Sequence, residues 1–449
     1  MSFSYFPPVV EEKQQLNKTL TPLLLWGLGV GYVISGMYVG WNLGLKEGGT
    51  LGLGIATFFS IIMYTAFSFS YTELACAIPK AGGAFDYAYR ALGKDIAFIT
   101  GMAQIIEFVF APPAIAIGIG TYLHLEFPQI DVTVASIGVY VLFTALNIYG
   151  VRAAAAFELF ITVLAVGELL LFAGITLPHF HTVNLTRNSF PNGWAGAFAA
   201  IPFAIWFFLG IEGVANVAEE TINPQRDILK GFGWAILTLV ILCVLTFVAA
   251  VGVNGWEAIV YKAGGGTSDA PLPLAMGQVV SPSNIFYKLL IGVGVCGLIA
   301  SFHGLILASG RATFEFGRVG FAPAFLGRIN SRFLTPANAL IFNSLIGVAA
   351  LLAGKTDQII TISVFGALVL YIISMISILR LRKTEPDLVR PFKVPFFPFT
   401  PIIALIIAVV SFVAMVWYNF DLSGIFLAII LVAYIIFKVL KPISTYHDH

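Results

Sequence analysis

The sequence predicts an all-α integral membrane protein of twelve transmembrane helices: two five-helix units in inverted repeat, with helices 1 and 6 broken, and two appended C-terminal helices. Three observations carry this reading. The chain is 59% apolar and only 10% charged, against about 25% charged in soluble domains, so a bilayer must cover its surface. Apolar runs of about 20 residues, the length that spans a bilayer, recur along the chain. Two of them contain helix-breaking patches at matching places, Ile34-Ser35-Gly36-Met37 and Leu209-Gly210-Ile211-Glu212-Gly213. Lipid tolerates irregular backbone only where protein buries it or it lines a wet cavity. Paired broken helices therefore point to a midplane site in a secondary transporter.

The expected spans are 20–45, 50–78, 95–122, 131–149, 153–178, 196–218, 232–255, 284–315, 336–353, 358–381, 397–419 and 422–440. They divide the chain into an N-terminal segment 1–19, a transporter core 20–381 (repeats 20–178 and 196–381), helices 11 and 12 at 397–440, and a tail 441–449. The loops at 179–195 and 256–283 are long, and the second, with Gly264-Gly265-Gly266, reads as irregular surface. Nineteen of the 24 Lys and Arg residues fall on the side of the termini, from Lys13 and Lys18 to Lys438 and Lys441; Lys46, Arg187, Lys262, Lys288 and Lys355 fall opposite. Positive charge stays cytoplasmic, so both termini are expected in the cytoplasm and the chain in the inner (plasma) membrane. The polar first twenty residues show no cleavable leader.

A net charge of +1 argues against nucleic acid as a partner. Cys76, Cys243 and Cys296 lie in apolar runs without metal or disulfide spacing. The run Gly292-Val293-Gly294-Val295-Cys296-Gly297 matches a dinucleotide fingerprint but has no preceding strand and sits inside a span. No cofactor, metal or enzymatic nucleophile is expected.

In helix 1, Gly27 and Gly31 read as packing positions, whereas Ile34, Ser35, Gly36, Met37 and Tyr38 read as an unwound hinge whose amides and carbonyls can ligate a solute. In helix 6 the corresponding stretch is Trp206, Phe207, Phe208, Leu209 and Gly210. Glu212 follows within apolar sequence, where a carboxylate is expensive; a transport role and a structural bond to nearby backbone both fit. Glu219 and Glu220 read as solvated or loop-pinning. Helix 3 sets Gln104 and Glu107 one turn apart on one face, continued by the small Ala111 and Ala114, with Pro112-Pro113 expected to kink it. Glu107 is expected to bind a cation or carry a proton; the alternative is a neutral acid bridging helices. Glu158 and Glu168 lie in helix 5, and Glu168 fits a proton relay or an interhelical bond equally. The proton-carrying candidates are thus Glu107, Glu168 and Glu212. Tyr38 and Trp206 can cage an ammonium by cation–π contact. His303 in helix 8 can face the site or pack.

Several segments carry a family resemblance. They are Tyr71-Thr72-Glu73-Leu74 followed by Pro79-Lys80-Ala81-Gly82-Gly83-Ala84-Phe85 and Tyr89; Gly210-Ile211-Glu212 leading to Glu219-Glu220 and Asn223-Pro224-Gln225-Arg226; and Ser309-Gly310-Arg311 with Gly317-Arg318 and Thr335-Pro336. On these the chain resembles the amino acid–polyamine–organocation transporter superfamily over nearly its full length. Within it, residues 29–38, 73–79 and 107–113 look most like the ethanolamine permeases. The resemblance implies a site between helices 1 and 6 completed by helices 3, 8 and 10, with Trp206 closing over the solute and the carbonyls near Phe207 and Leu209 receiving an ammonium. Relatives cradle a carboxylate on a Gly-Ser-Gly break, and here one glycine is replaced by Ile34. Many relatives carry a helix 5 lysine in place of a sodium ion, and this chain has none. Helix 8 offers Ser309-Gly310 where two hydroxyl residues would favour sodium. The expected function is alternating-access import of ethanolamine, a small amine cation, with a coupling proton. The alternative is an amino acid symporter or exchanger of the same fold. An intramembrane enzyme and a nontransporting sensor are the other classes weighed.

Overall fold

The computed structural model describes residues 18–80, 82–149, 154–262 and 264–440. The N-terminal segment up to residue 17, Ala81, Arg152 and the tail 441–449 lie outside the described residues, as does the side chain of Glu219. The fold is all-helical, with isolated backbone bridges and no strand among the described residues.

Nine helices among the described residues are long and apolar enough to cross a bilayer. These are helix 2 (Leu43–Ala77), helix 3 (Lys94–Glu126), helix 4 (Val132–Tyr149), helix 5 (Ala154–Thr176), helix 7 (Pro224–Asn254), helix 8 (Ile285–Arg318), helix 10 (Thr356–Thr384), helix 11 (Phe399–Tyr418) and helix 12 (Phe420–Leu440). Helix 9 (Ala337–Ala353) is shorter. Helix 1 is Pro22–Val33 followed by the separate turn Ser35–Tyr38. Helix 6 is Gly193–Ala199, Ile201–Trp206 and a 3₁₀ stretch Ile211–Glu220. The twelve expected segments are all present.

Two boundaries differ from expectation, each for a local reason. Helix 1 does not run to residue 45: it stops at the break, and residues 43–49 lead instead into helix 2 across a kink at Gly49 (φ 64°). Helix 7 begins at Pro224 rather than near 232. Proline suits a first helical turn because its missing N–H is unused there, and Asp227 accepts the Asn223 N–H at 3.2 Å. Residues 225–230, with Gln225, Arg226, Asp227 and Lys230 among them, thus form helical turns ahead of the apolar run. Helix 3 passes through Pro112 and Pro113 as one element. The two long loops carry short helices, Thr182–Thr186, Glu257–Val260 and Pro271–Met276, while the triple-glycine stretch is a turn closed by a Tyr261–Thr267 bridge.

Helices 1 and 6 run antiparallel. The start of helix 1 meets the end of helix 6 through a Leu20–Thr221 backbone bridge, with Thr19 N–H on the Glu220 carbonyl at 2.9 Å. Past the breaks, Trp206 Nε1 donates to the Val39 carbonyl at 2.9 Å. Helices 3, 8 and 10 wall this pair, and helix 10 lies along helix 3. Helices 11 and 12 stand outside, with Trp417 and Phe420 among the large apolar residues that face outward, as lipid contact requires.

The end of the bundle holding Leu20 and Thr221 is stitched by charge. Glu73, 1% exposed, accepts from Arg382 Nε and Nη2 at 2.7 and 2.8 Å and from the Val394 amide at 2.7 Å, with Arg390 Nε at 3.3 Å. Arg90 forks onto Glu385, and Arg311 pairs with Glu220 at 2.9 Å.

Candidate functional site

The two breaks meet each other. A Cβ on Gly36 would stand 2.6 Å from the Trp206 carbonyl oxygen and 3.1 Å from Phe207 Cα, so only glycine lets the helix 1 break lie against the helix 6 break. Gly210 has φ +93°, the left-handed region that glycine reaches without steric cost. It ends the turn after Trp206 and starts the 3₁₀ stretch carrying Glu212. Among the described residues no backbone amide donates to the carbonyls of Phe207 or Leu209. Inside a membrane protein such unpaired carbonyls need a ligand or water.

The amides of helix 1 are committed differently. Ser35 N–H donates to Ser301 Oγ of helix 8 at 3.0 Å, and Ser301 Oγ donates to the Gly31 carbonyl at 2.5 Å. Ser301 thus bridges the break, and the Ser35 amide is not free to hold a carboxylate. Met37 N–H returns to the Ile34 carbonyl, and Trp41 Nε1 to the Met37 carbonyl, both at 3.0 Å. Tyr38 OH donates to Glu168 of helix 5 and also contacts the Ala165 carbonyl at 3.1 Å.

Opposite the helix 6 break, helix 3 presents Glu107, which is fully buried. Its carboxyl approaches that of Glu212, also fully buried. Both Glu107 oxygens and Glu212 Oε1 lack a donor. Two carboxylates have only acceptor atoms to offer each other, so this contact calls for a proton or a cation between them. Glu212 Oε2 accepts from Tyr371 OH at 3.0 Å, and Tyr371 OH lies 3.0 Å from Tyr64 OH, which reaches the Ile205 carbonyl at 3.3 Å. Ser363 Oγ of helix 10 holds the Glu107 carbonyl at 2.8 Å.

One turn along helix 3, Gln104 Nε2 donates to Asn216 Oδ1 of helix 6 at 3.4 Å. Both line a narrow cleft with Gly82, Phe85, Ala312 and Phe316. Ala111 is buried one turn the other way. Trp206 is 2% exposed, pinned by Val39, and its neighbour Phe207 stacks on Trp41 with ring centroids 5.4 Å apart. Phe208 lies 5.1 Å from the Tyr64 ring.

The structure therefore brings Ser35, Gly36, Trp206, Phe207, Leu209 and Gly210 to one seam, with Glu107 and Glu212 on its flank. Gln104 faces the cleft beside the seam, and Tyr38 turns to Glu168. Sequence reasoning missed Ser301, Tyr64, Tyr371 and Asn216. It also left open the partner of His303, which is Glu158 at 3.9 Å. The only signal available was a polar residue interrupting an apolar run, and the chain has many.

Over residues 21–437 the chain matches the amino acid permease family. It belongs to that family. It is 28% identical over 415 residues to an uncharacterized transporter of Rhizobium meliloti, covering 90% of this chain and 88% of the relative. It is 26% identical over 451 residues to the branched-chain amino acid permease BcaP of Bacillus subtilis, covering 95% and 94%. It is 28% identical over 422 residues to a vacuolar cationic amino acid transporter of Arabidopsis thaliana, covering 86% of this chain and 65% of that longer protein. The permease family identifies a multi-pass membrane transporter of small organic solutes, and not an enzyme.

Proposed function

We propose that this permease imports a small amine cation, with ethanolamine as the leading candidate, by alternating access across the plasma membrane. The observation that carries the reading is the approach of the Glu107 and Glu212 carboxyls beside the unpaired Phe207 and Leu209 carbonyls. Those groups are all acceptors and suit an ammonium. The Ser35 amide, which a carboxylate would need, is spent on Ser301. A solute with an ammonium and a hydroxyl but no carboxylate fits this inventory.

In the proposed cycle the five-helix units 20–178 and 196–381 rock about the seam, Trp206 gates one side, and a proton couples the movement. The excess of Lys and Arg at the Leu20–Thr221 end supports placing that end, and both termini, in the cytoplasm. The cleft at Gln104 and Asn216 is then an inward vestibule.

A second reading has its own support. Relatives at 26–28% identity are named as branched-chain and cationic amino acid transporters, and the acidic pair would equally receive the α-ammonium of an amino acid.

A thermal-shift screen of the purified protein separates the two readings. A ligand that binds only the folded state raises the melting temperature, by about 2.7 kcal/mol of stability at a hundredfold excess over Kd. Stabilisation by ethanolamine without stabilisation by leucine, lysine, alanine or serine is the expected result. Stabilisation by amino acids alone overturns the amine reading.

A further inference from the structure

Away from the solute seam, a second titratable pair is packed on helix 1. Glu158 of helix 5 is 3% exposed, and its Oε2 lies 3.9 Å from His303 Nδ1 of helix 8. Its other oxygen, Oε1, is buried without a partner. A Cβ on Gly31 would stand 2.6 Å from that Oε1 and 2.8 Å from Thr162 Oγ1, so the carboxyl is seated directly on the helix 1 backbone. Thr162 donates to the Gly27 carbonyl at 3.1 Å, and Ser301, two residues before His303, holds the Gly31 carbonyl and the Ser35 amide. The pair thus grips the stretch of helix 1 that leads into the break. From helix 1 the phenol of Tyr32 faces Glu158, and Arg311 and Glu220 also act on that phenol. From helix 4 the Phe143 ring meets His303 edge-on at 6.0 Å.

We propose that Glu158 and His303 form the coupling-proton site of this transporter, distinct from the solute's carboxyls. Imidazole changes charge near neutral pH, and a buried carboxylate is costly to leave unpaired. With a proton on the pair, the imidazolium–carboxylate attraction clamps helices 5 and 8 on helix 1. Once the proton leaves, Glu158 keeps no cation and helix 1 is released to tilt. The proton enters and leaves as itself, so no other reactant is needed. The inference rests on the transporter reading above, but assigns coupling to residues outside the Glu107, Glu168 and Glu212 set.

The test is uptake by the full-length protein in proteoliposomes with the membrane potential clamped to zero. Radiolabelled ethanolamine, leucine and lysine are the probes, and the one taken up is carried forward. With one proton moved per solute, an inward gradient of about one pH unit supports about tenfold accumulation over the equal-pH control. In Glu158→Gln and His303→Gln the accumulation is expected to fall to the control level, while counterflow at equal pH and thermal stabilisation by the probe persist. Accumulation unchanged in both variants overturns the proposal, as does a wild type that gains nothing from the gradient. Loss of counterflow and thermal stabilisation along with accumulation also overturns it, because the pair then serves packing alone. A substrate-free readout distinguishes failure of the site from failure of the amine reading. The infrared difference spectrum between about pH 5 and pH 8 is expected to contain an imidazole band that His303→Gln removes and Glu107→Gln leaves. A spectrum unchanged by His303→Gln overturns the proton site, whichever solute is carried.

Discussion

Glu107 of helix 3 and Glu212 of helix 6 bring two fully buried carboxyls together at the point where helix 6 loses its regular hydrogen bonds. The contact is unfavourable without a positive charge or a proton between the acids; among the described residues, the Tyr371 hydroxyl donates to Glu212. Under the proposed function the ammonium of the solute supplies that charge.

Glu107→Gln tests this directly. The amide keeps the shape and can donate to Glu212, so folding is expected to survive. One charge-assisted contact to an ammonium is lost, worth about 1.5–3 kcal/mol, or roughly ten- to a hundredfold in Kd. Isothermal titration with ethanolamine checks it. Unchanged affinity in a folded variant places the ammonium elsewhere.

Gly36→Ala addresses the seam. The added methyl meets the Trp206 carbonyl and Phe207 Cα, which are backbone atoms that cannot rotate away. Overpacking of this kind costs about 1–3 kcal/mol. The variant is expected to melt lower and to lose ligand stabilisation, both read in one thermal-shift series. A variant with wild-type response to ligand would mean that the breaks separate during binding.

The spans and the two breaks were legible because their signals are local. Long apolar runs report the bilayer, and Ser35-Gly36 or Gly210 with Glu212 report irregular backbone inside it. The start of helix 7 was not, since Gln225, Arg226, Asp227 and Lys230 interrupt the apolar run and the proline and the Asp227 contact mark the stretch as helical. Pairings across the fold were least legible. Ser301 with Ser35, Gln104 with Asn216, and Glu158 with His303 join residues far apart in the chain, and no spacing rule connects them. Glu107 stood out in the sequence because an acid deep in a span is expensive wherever it sits.

Trp206→Phe tests the proposed gate. The ring is kept, but the N–H donated to Val39 is lost, leaving a buried carbonyl unsatisfied at about 1–3 kcal/mol. Closure of that side is expected to weaken. Hydrogen exchange at residues 39–41 should quicken, and transport should slow with little change in the melting temperature. Exchange and transport equal to wild type would show that Trp206 only packs.

Glu73→Gln probes the charged end. Glu73 is the shared acceptor for Arg382, Arg390 and the Val394 amide, and Arg390 is itself 5% exposed. Removing one partner of a buried ion cluster costs about 3–5 kcal/mol. The expected result is a large fall in melting temperature without altered ligand selectivity among the molecules that still fold. A near-neutral change would mean that Glu385 takes over both guanidiniums.

Asp269, in the loop between helices 7 and 8, gives a pH dependence with a definite sign. Burial pushes its carboxyl above the usual carboxylate range, with Asp357 adding to the effect, while the Thr356 hydroxyl and Lys262 pull it back down. The folded loop therefore holds the proton more tightly than the unfolded chain. Its contribution favours the fold most at pH below the ordinary carboxylate pKa and declines as pH rises through the raised folded value. Above that value the ionised group is a constant cost. Asp269→Asn removes the ionisation, so the difference in melting temperature between variant and wild type should grow in the variant's favour from acid to neutral pH and then level off. A difference that is flat with pH would mean that Lys262 and Thr356 compensate the burial in full.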